Sequence, residues 1–349
     1  EKYGEERRTE IIEDFTSLSI EDMIAEEEMV LTITHNGYIK RTSLSTYRSQ
    51  RRGGRGVQGA SSREEDFVEH LFVANTHSYI LFFTDKGKCY WVKVYDIPEG
   101  GRAAKGRAIV NLIGCEPDEK VSAFISVKEF HEDHFVVMAT EKGIVKKTKL
   151  SAYSNPRKKG IYAVEIRDGD KLIEARVSTG DNDILLGTRN GKSIRFSEEQ
   201  IRASGRKTMG VKGITLSSDD DRLVGMLLIK REGTVLVATE KGFGKRTEIS
   251  QYRAQKRGGK GVLTMKTTEK VGKMVTIKEV VEKDDLMIIT NQGVLIRLPV
   301  AQIRSIGRAT QGVKLIKLGE GTLVSSITRI MSEEEQDEDN NSEPSSDKE

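Results

Sequence analysis

Six short apolar or alternating runs recur along the chain, at residues 30–33, 80–83, 135–138, 184–186, 235–237 and 287–289. Each is closed by the tetrad Thr-x-x-Gly, which begins at Thr34, Thr84, Thr140, Thr188, Thr239 and Thr290. A second β-prone run follows each glycine, such as Tyr38-Ile39-Lys40-Arg41 or Val294-Leu295-Ile296-Arg297. β-branched and aromatic residues on both sides of a short polar connection predict a hairpin, and the glycine supplies the positive φ that a tight turn needs. The runs are too short for helices, and glycine interrupts them too often.

The tetrads stand 50, 56, 48, 51 and 51 residues apart. A period near fifty marks an array of similar supersecondary units. Counting each threonine as zero, position +22 is glycine in five repeats (Gly56, Gly106, Gly210, Gly261 and Gly312), and the third has Gly160 two places earlier. A β-branched residue usually follows, and a second strand pair is expected after it, for example at 67–74 or 223–229. Four short strands in ~50 residues is the arithmetic of a propeller blade. Residues 29–331 therefore read as one closed all-β domain of six blades, although length alone would suggest about two domains.

The formal net charge of +3 hides a partition. Residues 1–28 carry 3 basic and 11 acidic side chains, residues 332–349 carry 1 and 9, and each segment is −8 net. The repeats between them hold 53 basic against 34 acidic side chains, a net of +19. A basic folded body points to a polyanion partner, with the acidic flank a built-in competitor for the same surface. The segment 332–349 is expected to be a disordered acidic tail. It reads either as a solubiliser or as a strap that folds back on the basic rim and tunes binding, in either direction. Residues 1–28 read as a linker with a short helix at 19–25. Two cysteines, Cys89 and Cys115, without a Cys-x-x-Cys pair suggest a reducing cytosol. No apolar run approaches the ~20 residues of a membrane span, and no signal peptide is visible.

The basic residues fall in register. Position +7 is Arg41, Lys147, Arg195, Arg246 or Arg297, with Trp91 in the second repeat, and Lys40 precedes the first of them. The segment from +14 to +22 adds Arg48, Arg51, Arg52 and Arg55 in the first repeat and Arg102 and Lys105 in the second. It adds Arg157, Lys158 and Lys159 in the third, and Arg206 and Lys207 in the fourth. Arg253, Lys256, Arg257 and Lys260 follow in the fifth, and Arg304 and Arg308 in the sixth. The competing reading is a solvated charged face, but such faces mix signs. A belt of cations around a disc suits duplex DNA that bends along it. Phosphate contacts by Arg and Lys imply weak sequence specificity and steep salt dependence, and they offset the several kcal/mol that tight bending costs.

One segment is sharper than the rest. Gln50-Arg51-Arg52-Gly53-Gly54-Arg55-Gly56 resembles the gyrase A box, the signature heptapeptide of the family of C-terminal domains of the DNA gyrase A subunit. A near copy, Gln255-Lys256-Arg257-Gly258-Gly259-Lys260-Gly261, lies in the fifth repeat, and Glu6-Arg7-Arg8-Thr9-Glu10-Ile11 resembles the segment that leaves the breakage–reunion core. The resemblance covers essentially the whole chain. It implies a six-bladed β-pinwheel with strands exchanged between neighbouring blades. It implies right-handed wrapping of double-stranded DNA, so that ATP-dependent strand passage introduces negative supercoils. It also implies no cofactor in this domain, with ATP and Mg acting elsewhere in the holoenzyme. The implied partners are the rest of the gyrase A polypeptide and the gyrase B polypeptide in an A2B2 assembly. The isolated domain is expected to be a monomer in the bacterial cytoplasm. The box is implied to be the loop needed for wrapping; its residues suit both contact with phosphate and a latch between the first and last blades. Arg55 stands where lysine is commoner in the family, and the other four loops keep only the basic-glycine character. The equivalent domain of topoisomerase IV, which lacks an intact box, is the nearest alternative. A propeller used as a protein-interaction platform is the alternative from another class.

Catalytic chemistry is not expected here. None of the nine tyrosines sits in the DNA-cleaving motif of the family, and there is no P-loop. Tyr47 and Tyr252, both at +13, read as packing residues, and Trp91 reads as rim packing. His131-Glu132-Asp133-His134 has no further ligand cluster near it in sequence, so no metal site is expected. Asp168, Asp170 and Asp219–Asp221 read as turn residues.

Overall fold

The computed structural model describes residues 21–34, 36–43, 68–101, 104–116, 118–230, 232–292 and 295–330. The acidic segments 1–20 and 331–349, Tyr47, Arg48, the heptapeptide at 50–56 and Arg102 lie outside the described residues.

Each apolar run becomes the middle strand of a blade: Glu28–Thr34, Tyr79–Thr84, Phe135–Thr140, Asp183–Thr188, Thr234–Thr239 and Asp285–Thr290. In the first five hairpins the glycine N–H donates to the threonine carbonyl at 2.9–3.0 Å, with φ between 75 and 82°. The threonine hydroxyl accepts the N–H four residues on, at 3.2–3.4 Å from Tyr38, Lys88, Ile144, Lys192 and Phe243. The tetrad therefore recurs because the threonine caps its own hairpin while the glycine turns it.

The middle strand pairs on one side with the hairpin's second strand and on the other with a third strand: Val68–Asn75, Val121–Val127, Leu172–Ser178, Leu223–Ile229, Met274–Val280 or Val324–Ile330. These third strands are innermost. Those of the second to sixth blades pack side by side, and the sixth meets the first, closing a ring around a central cavity of about 620 Å³.

The expected second strand pair within each repeat does not form. Each repeat has one inner strand, and the residues after the +22 glycine pair instead with the preceding blade. Arg107–Ala108 completes the first sheet, Ile161–Tyr162 the second, Val211–Lys212 the third, Val262–Leu263 the fourth and Val313–Lys314 the fifth. The sixth sheet has three strands among the described residues. Glycine is required at +22 because the backbone there presses on the neighbour: at Gly261, with φ +68°, a Cβ would overlap the carbonyl oxygen of Ser193.

The core lies between blades. Leu31 packs with Phe82, Leu81 with Met138, Val137 with Leu186, Leu185 with Val235, and Leu236 with Ile288, in five clusters that each join two adjacent blades. Consecutive residues of a middle strand thus bury against opposite neighbours, which is why those strands are almost continuously apolar. Two features carry no sequence expectation. Short 3-10 turns follow the second strands, at Val94–Asp96, Leu150–Tyr153, Glu198–Gln200, Ile249–Gln251 and Val300–Gln302. A five-residue helix, Ile109–Ile113, fills the longer second repeat and ends on Gly114 in the left-handed region.

Candidate nucleic-acid interface

The second strand of each hairpin and the donated strand lie away from the ring axis, so the loop from +14 to +22 runs along the perimeter. The basic residues of this region fall into three groups.

The +7 group faces the next blade. Arg41 Nε donates to the carbonyl of Ile97 at 2.7 Å, Arg246 Nε to that of Ile303 at 2.7 Å, and Arg195 Nη1 to that of Tyr252 at 3.3 Å. In each pair the acceptor is position +13 of the following repeat. Trp91 obeys the same rule, since its indole N–H donates to the carbonyl of Tyr153 at 2.8 Å. This explains why a tryptophan can replace a cation there. Lys147 bonds the Gly180 carbonyl at 3.1 Å and the Glu198 carboxylate at 2.9 Å. Arg297 is exposed and pairs with Asp285. Five of the six +7 side chains are thus held inside the ring, and the register of charge seen in the sequence is largely a register of inter-blade bonds.

The second group is buried. Lys40, Lys146 and Lys245, at +6 of the first, third and fifth repeats, are 3%, 1% and 0% exposed. Lys40 Nζ donates to the carbonyls of Gly101 and Ala104 at 3.1 and 2.9 Å. Lys146 Nζ donates to Ala163 O at 2.7 Å and to Arg206 O. Lys245 Nζ donates to Gly307 O at 2.7 Å, to Thr310 Oγ1 at 3.0 Å and to Arg308 O. Burial pushes the Lys146 and Lys245 ammonium groups down to about 8, and lowers that of Lys40.

The third group faces solvent: Lys105, Arg157, Lys158, Lys159, Lys207, Arg253, Lys256, Lys260 and Arg304 are exposed. Arg206, Arg257 and Arg308 are half-buried. Within the fifth-repeat box the roles divide. Arg257 holds the preceding blade, with Nε donating to Gln200 O at 2.9 Å and Nη1 to Lys212 O at 3.1 Å. Arg308 repeats this on Leu263 O at 2.8 Å. Gly258 N–H donates to Gly213 O at 2.6 Å, and Thr215 N–H to Gly259 O at 2.8 Å, which docks the glycines on the fourth blade. Lys256 and Lys260 are left pointing outward, with no ion pair among the described residues. The structure adds exposed cations that sequence reasoning missed: Arg107, Lys212 and Lys314 on the donated strands. Their signal was the alternation after the +22 glycine, where +24 is Lys212 and Lys314 in the fourth and sixth repeats.

Other candidate residues take structural places. Tyr252 is buried and its phenol is pushed up to about 12 by desolvation. Asp170 Oδ1 accepts the N–H groups of Lys142 and Lys171, and Asp221 those of Asn190, Ser217 and Arg222, so both fix turns. The rings of His131 and His134 are 5.0 Å apart, and no group of three or more potential metal ligands occurs among the described residues. No helix among them is long and apolar enough to cross a membrane.

A family model described as the DNA gyrase C-terminal domain, beta-propeller, matches residues 28–75, 78–128, 134–179, 182–230, 233–280 and 284–330. The DNA gyrase A subunit of Staphylococcus epidermidis (strain ATCC 12228 / FDA PCI 1200) is 47% identical over 339 residues, covering 96% of this chain and 38% of that protein. That of Staphylococcus aureus (strain MRSA252) is 47% identical over 349 residues, covering 99% and 39%. The chain thus spans well under half the length of these relatives. Among solved structures, the C-terminal domain of DNA topoisomerase IV matches with a TM-score of 0.77 at 25% identity, covering 90% of this chain and 97% of that one. The DNA gyrase A C-terminal domain matches with a TM-score of 0.70 at 23% identity, covering 87% and 100%, a likeness of fold.

Proposed function

The chain belongs to the DNA gyrase C-terminal domain family of beta-propellers, and from that premise we propose that it binds duplex DNA along its perimeter and wraps it for a gyrase-type, type IIA topoisomerase. The observation that carries this reading is the run of exposed cations at +17 to +21, which meet no ion-pair partner among the described residues. Arg157 to Lys159, Lys207, and Lys256 with Lys260 stand on loops that the ring brings to its outer edge. They suit phosphate oxygens and carry no means of reading bases, so binding is expected to be weakly sequence-specific and steeply dependent on salt. The glycines of the fifth-repeat box dock on the fourth blade and so hold Lys256 and Lys260 at the outer edge.

Bending a duplex around so small a disc costs several kcal/mol, which contacts distributed over several blades can offset. A right-handed wrap would present a neighbouring DNA segment to the gate of the whole enzyme, where ATP-dependent strand passage introduces negative supercoils. Cleavage, ATP and Mg belong to other parts of an A2B2 assembly in the bacterial cytoplasm, and this domain needs no cofactor of its own. The intact heptapeptide at 50–56 and the 47% identity to the gyrase A polypeptide favour gyrase over topoisomerase IV. The acidic segment 332–349 is assigned a competing role on the same cations.

The test is topological. Nicked circular DNA is sealed by ligase over a range of protein concentrations, deproteinised and resolved on chloroquine gels. Positively supercoiled products establish a right-handed wrap. Binding without a topology change reduces the domain to a basic tether, and no binding at low salt rejects the DNA reading in favour of a protein-interaction propeller.

A further inference from the structure

The buried +6 lysines mark an alternation around the ring. Lysine occupies this position in the first, third and fifth repeats, whereas the second, fourth and sixth have Tyr90, Ile194 and Ile296. Ile194 is as buried as Lys245, on the same strand position of a blade with the same pairing. The blade therefore does not need an ammonium there, and a buried ammonium is costly unless its donors are satisfied. Here the acceptors include carbonyls of the next blade's perimeter loop: Gly101 for Lys40, Arg206 for Lys146, and Gly307 and Arg308 for Lys245, while Ala163 O of its own repeat also accepts from Lys146. The gripped loops share Gly-Arg at +17 and +18, as Gly101-Arg102, Gly205-Arg206 and Gly307-Arg308. The loop that follows Ile194 is the fifth-repeat box, which no ammonium among the described residues holds from beneath; it docks through backbone bonds with Gly213 and Thr215 and through its own Arg257 on Gln200 O and Lys212 O.

A trans peptide points its N–H opposite to its C=O. Carbonyls of Arg206 and Arg308 drawn inward therefore turn the N–H groups of Lys207 and Ala309 outward, and both of those residues are exposed. We propose that Lys146 and Lys245 are positioning residues for DNA: each grips the next blade's loop from within the ring and aims the outward peptide N–H groups of that loop, with the exposed Lys207 in the fourth repeat, at phosphate. The perimeter loops of the fourth and sixth repeats are then set from beneath by an ammonium, whereas those of the third and fifth carry additional exposed cations, Arg157 to Lys159 and Lys256 with Lys260. This deepens the DNA-binding reading and rests on it.

The test compares the wild-type chain with Lys146→Met/Lys245→Met at matched ionic strength, below the melting temperature of both. The variant is expected to fold, as Ile194 at the same position does. It should bind DNA about tenfold more weakly because a preorganised loop is lost. Its salt slope should be unchanged because no exposed cation is removed, and the linking-number change per bound protein should fall. A folded variant with a lower melting temperature but wild-type affinity and topology overturns the proposal and leaves the lysines as ring fastenings. Amide hydrogen exchange on the wild-type chain gives a readout that needs no substitution. DNA should slow exchange in peptides covering 204–210 and 305–312, and unchanged exchange there while DNA is bound also overturns it. A wild-type chain that binds no DNA at low salt rejects the underlying function instead, an outcome distinct from both.

Discussion

Arg246 and Lys256 stand ten residues apart in the fifth repeat and meet different surroundings. Arg246 is 6% exposed and spends its guanidinium on the Ile303 carbonyl of the sixth blade, with Glu282 beside it. Lys256 is exposed on a loop and meets no acidic partner among the described residues. Both carry one positive charge at a place that recurs around the ring. The difference teaches that charge repeated in register is not by itself a binding surface. Where blades meet edge to edge, a long cationic side chain on the second strand reaches the backbone of the next blade before it reaches solvent. Cations exposed on the perimeter loops and donated strands, such as Lys256 and Lys212, keep their charge for a ligand.

The largest effect is expected at the glycine that seats the fifth-repeat box on the fourth blade. Gly261→Ala would place a methyl on Ser193 O at a φ of +68°, displacing the strand donated to the fourth blade and the box that precedes it. A cost of ~2–4 kcal/mol is expected, since steric overlap adds to the left-handed backbone penalty. Denaturant unfolding checks it, and an unchanged midpoint would remove the steric account of the +22 glycines.

Next comes a reciprocal pair of substitutions. Arg246→Ala leaves the Ile303 carbonyl without its charged donor inside the ring, and should cost ~2 kcal/mol of stability. The salt slope of DNA binding should be left alone. Lys256→Ala/Lys260→Ala should do the reverse, with little change in melting temperature and a fall of roughly two in the slope of log K against log salt. If Arg246→Ala moved the slope, or the lysine pair moved only the melting temperature, the division between fastening and binding cations would be misplaced.

Much of this was legible in the sequence. The Thr-x-x-Gly tetrads gave the hairpins because their chemistry is local, a hydroxyl and a glycine closing a turn within five residues. The period gave the blade number for the same reason. Strand exchange was not legible from patterning, because Val262-Leu263 looks like any short β run and its partners, Lys192 and Ser193, lie about seventy residues away. The division of cations was hidden for a similar reason. Arg246 and Lys256 differ only in the neighbour that the ring supplies, and no single repeat contains that neighbour. The 3-10 turns could have been found: Leu150 and Tyr153, or Val300 and Ile303, are buried pairs spaced for one 3-10 turn.

A smaller and signed effect follows from pH. Burial, with the nearby charge of Arg206 for Lys146 and of Arg308 for Lys245, holds these ammonium groups at about 8 instead of 10.5; Glu165 opposes the shift at Lys146. Below about 8 both native and unfolded chains hold the protons, and the cost of burial is fully present. Between about 8 and 10.5 the native chain has released protons that the unfolded chain still binds, so this contribution raises stability as pH increases. The same deprotonation weakens the grip on the carbonyls of the next loop, so wrapping should fall over that window. Opposite slopes for melting temperature and wrapping, both lost in Lys146→Met/Lys245→Met, are the expected result. Parallel slopes would mean that the lysines do not link the interior to the loops.

The smallest effect is expected at Arg297, and it sharpens the comparison from the other side. Arg297 shares position +7 with Arg246, but its side chain is 65% exposed and forms an ion pair with Asp285 on the adjacent strand. An exposed pair of this kind contributes ~0–1 kcal/mol, because the charges are already well solvated and holding two side chains together costs entropy. Arg297→Ala should therefore leave the melting temperature nearly unchanged where Arg246→Ala lowers it, although the two residues are equivalent in the repeat. A loss at Arg297 as large as that at Arg246 would show that position in the repeat, rather than burial against the next blade, decides what a strand cation contributes.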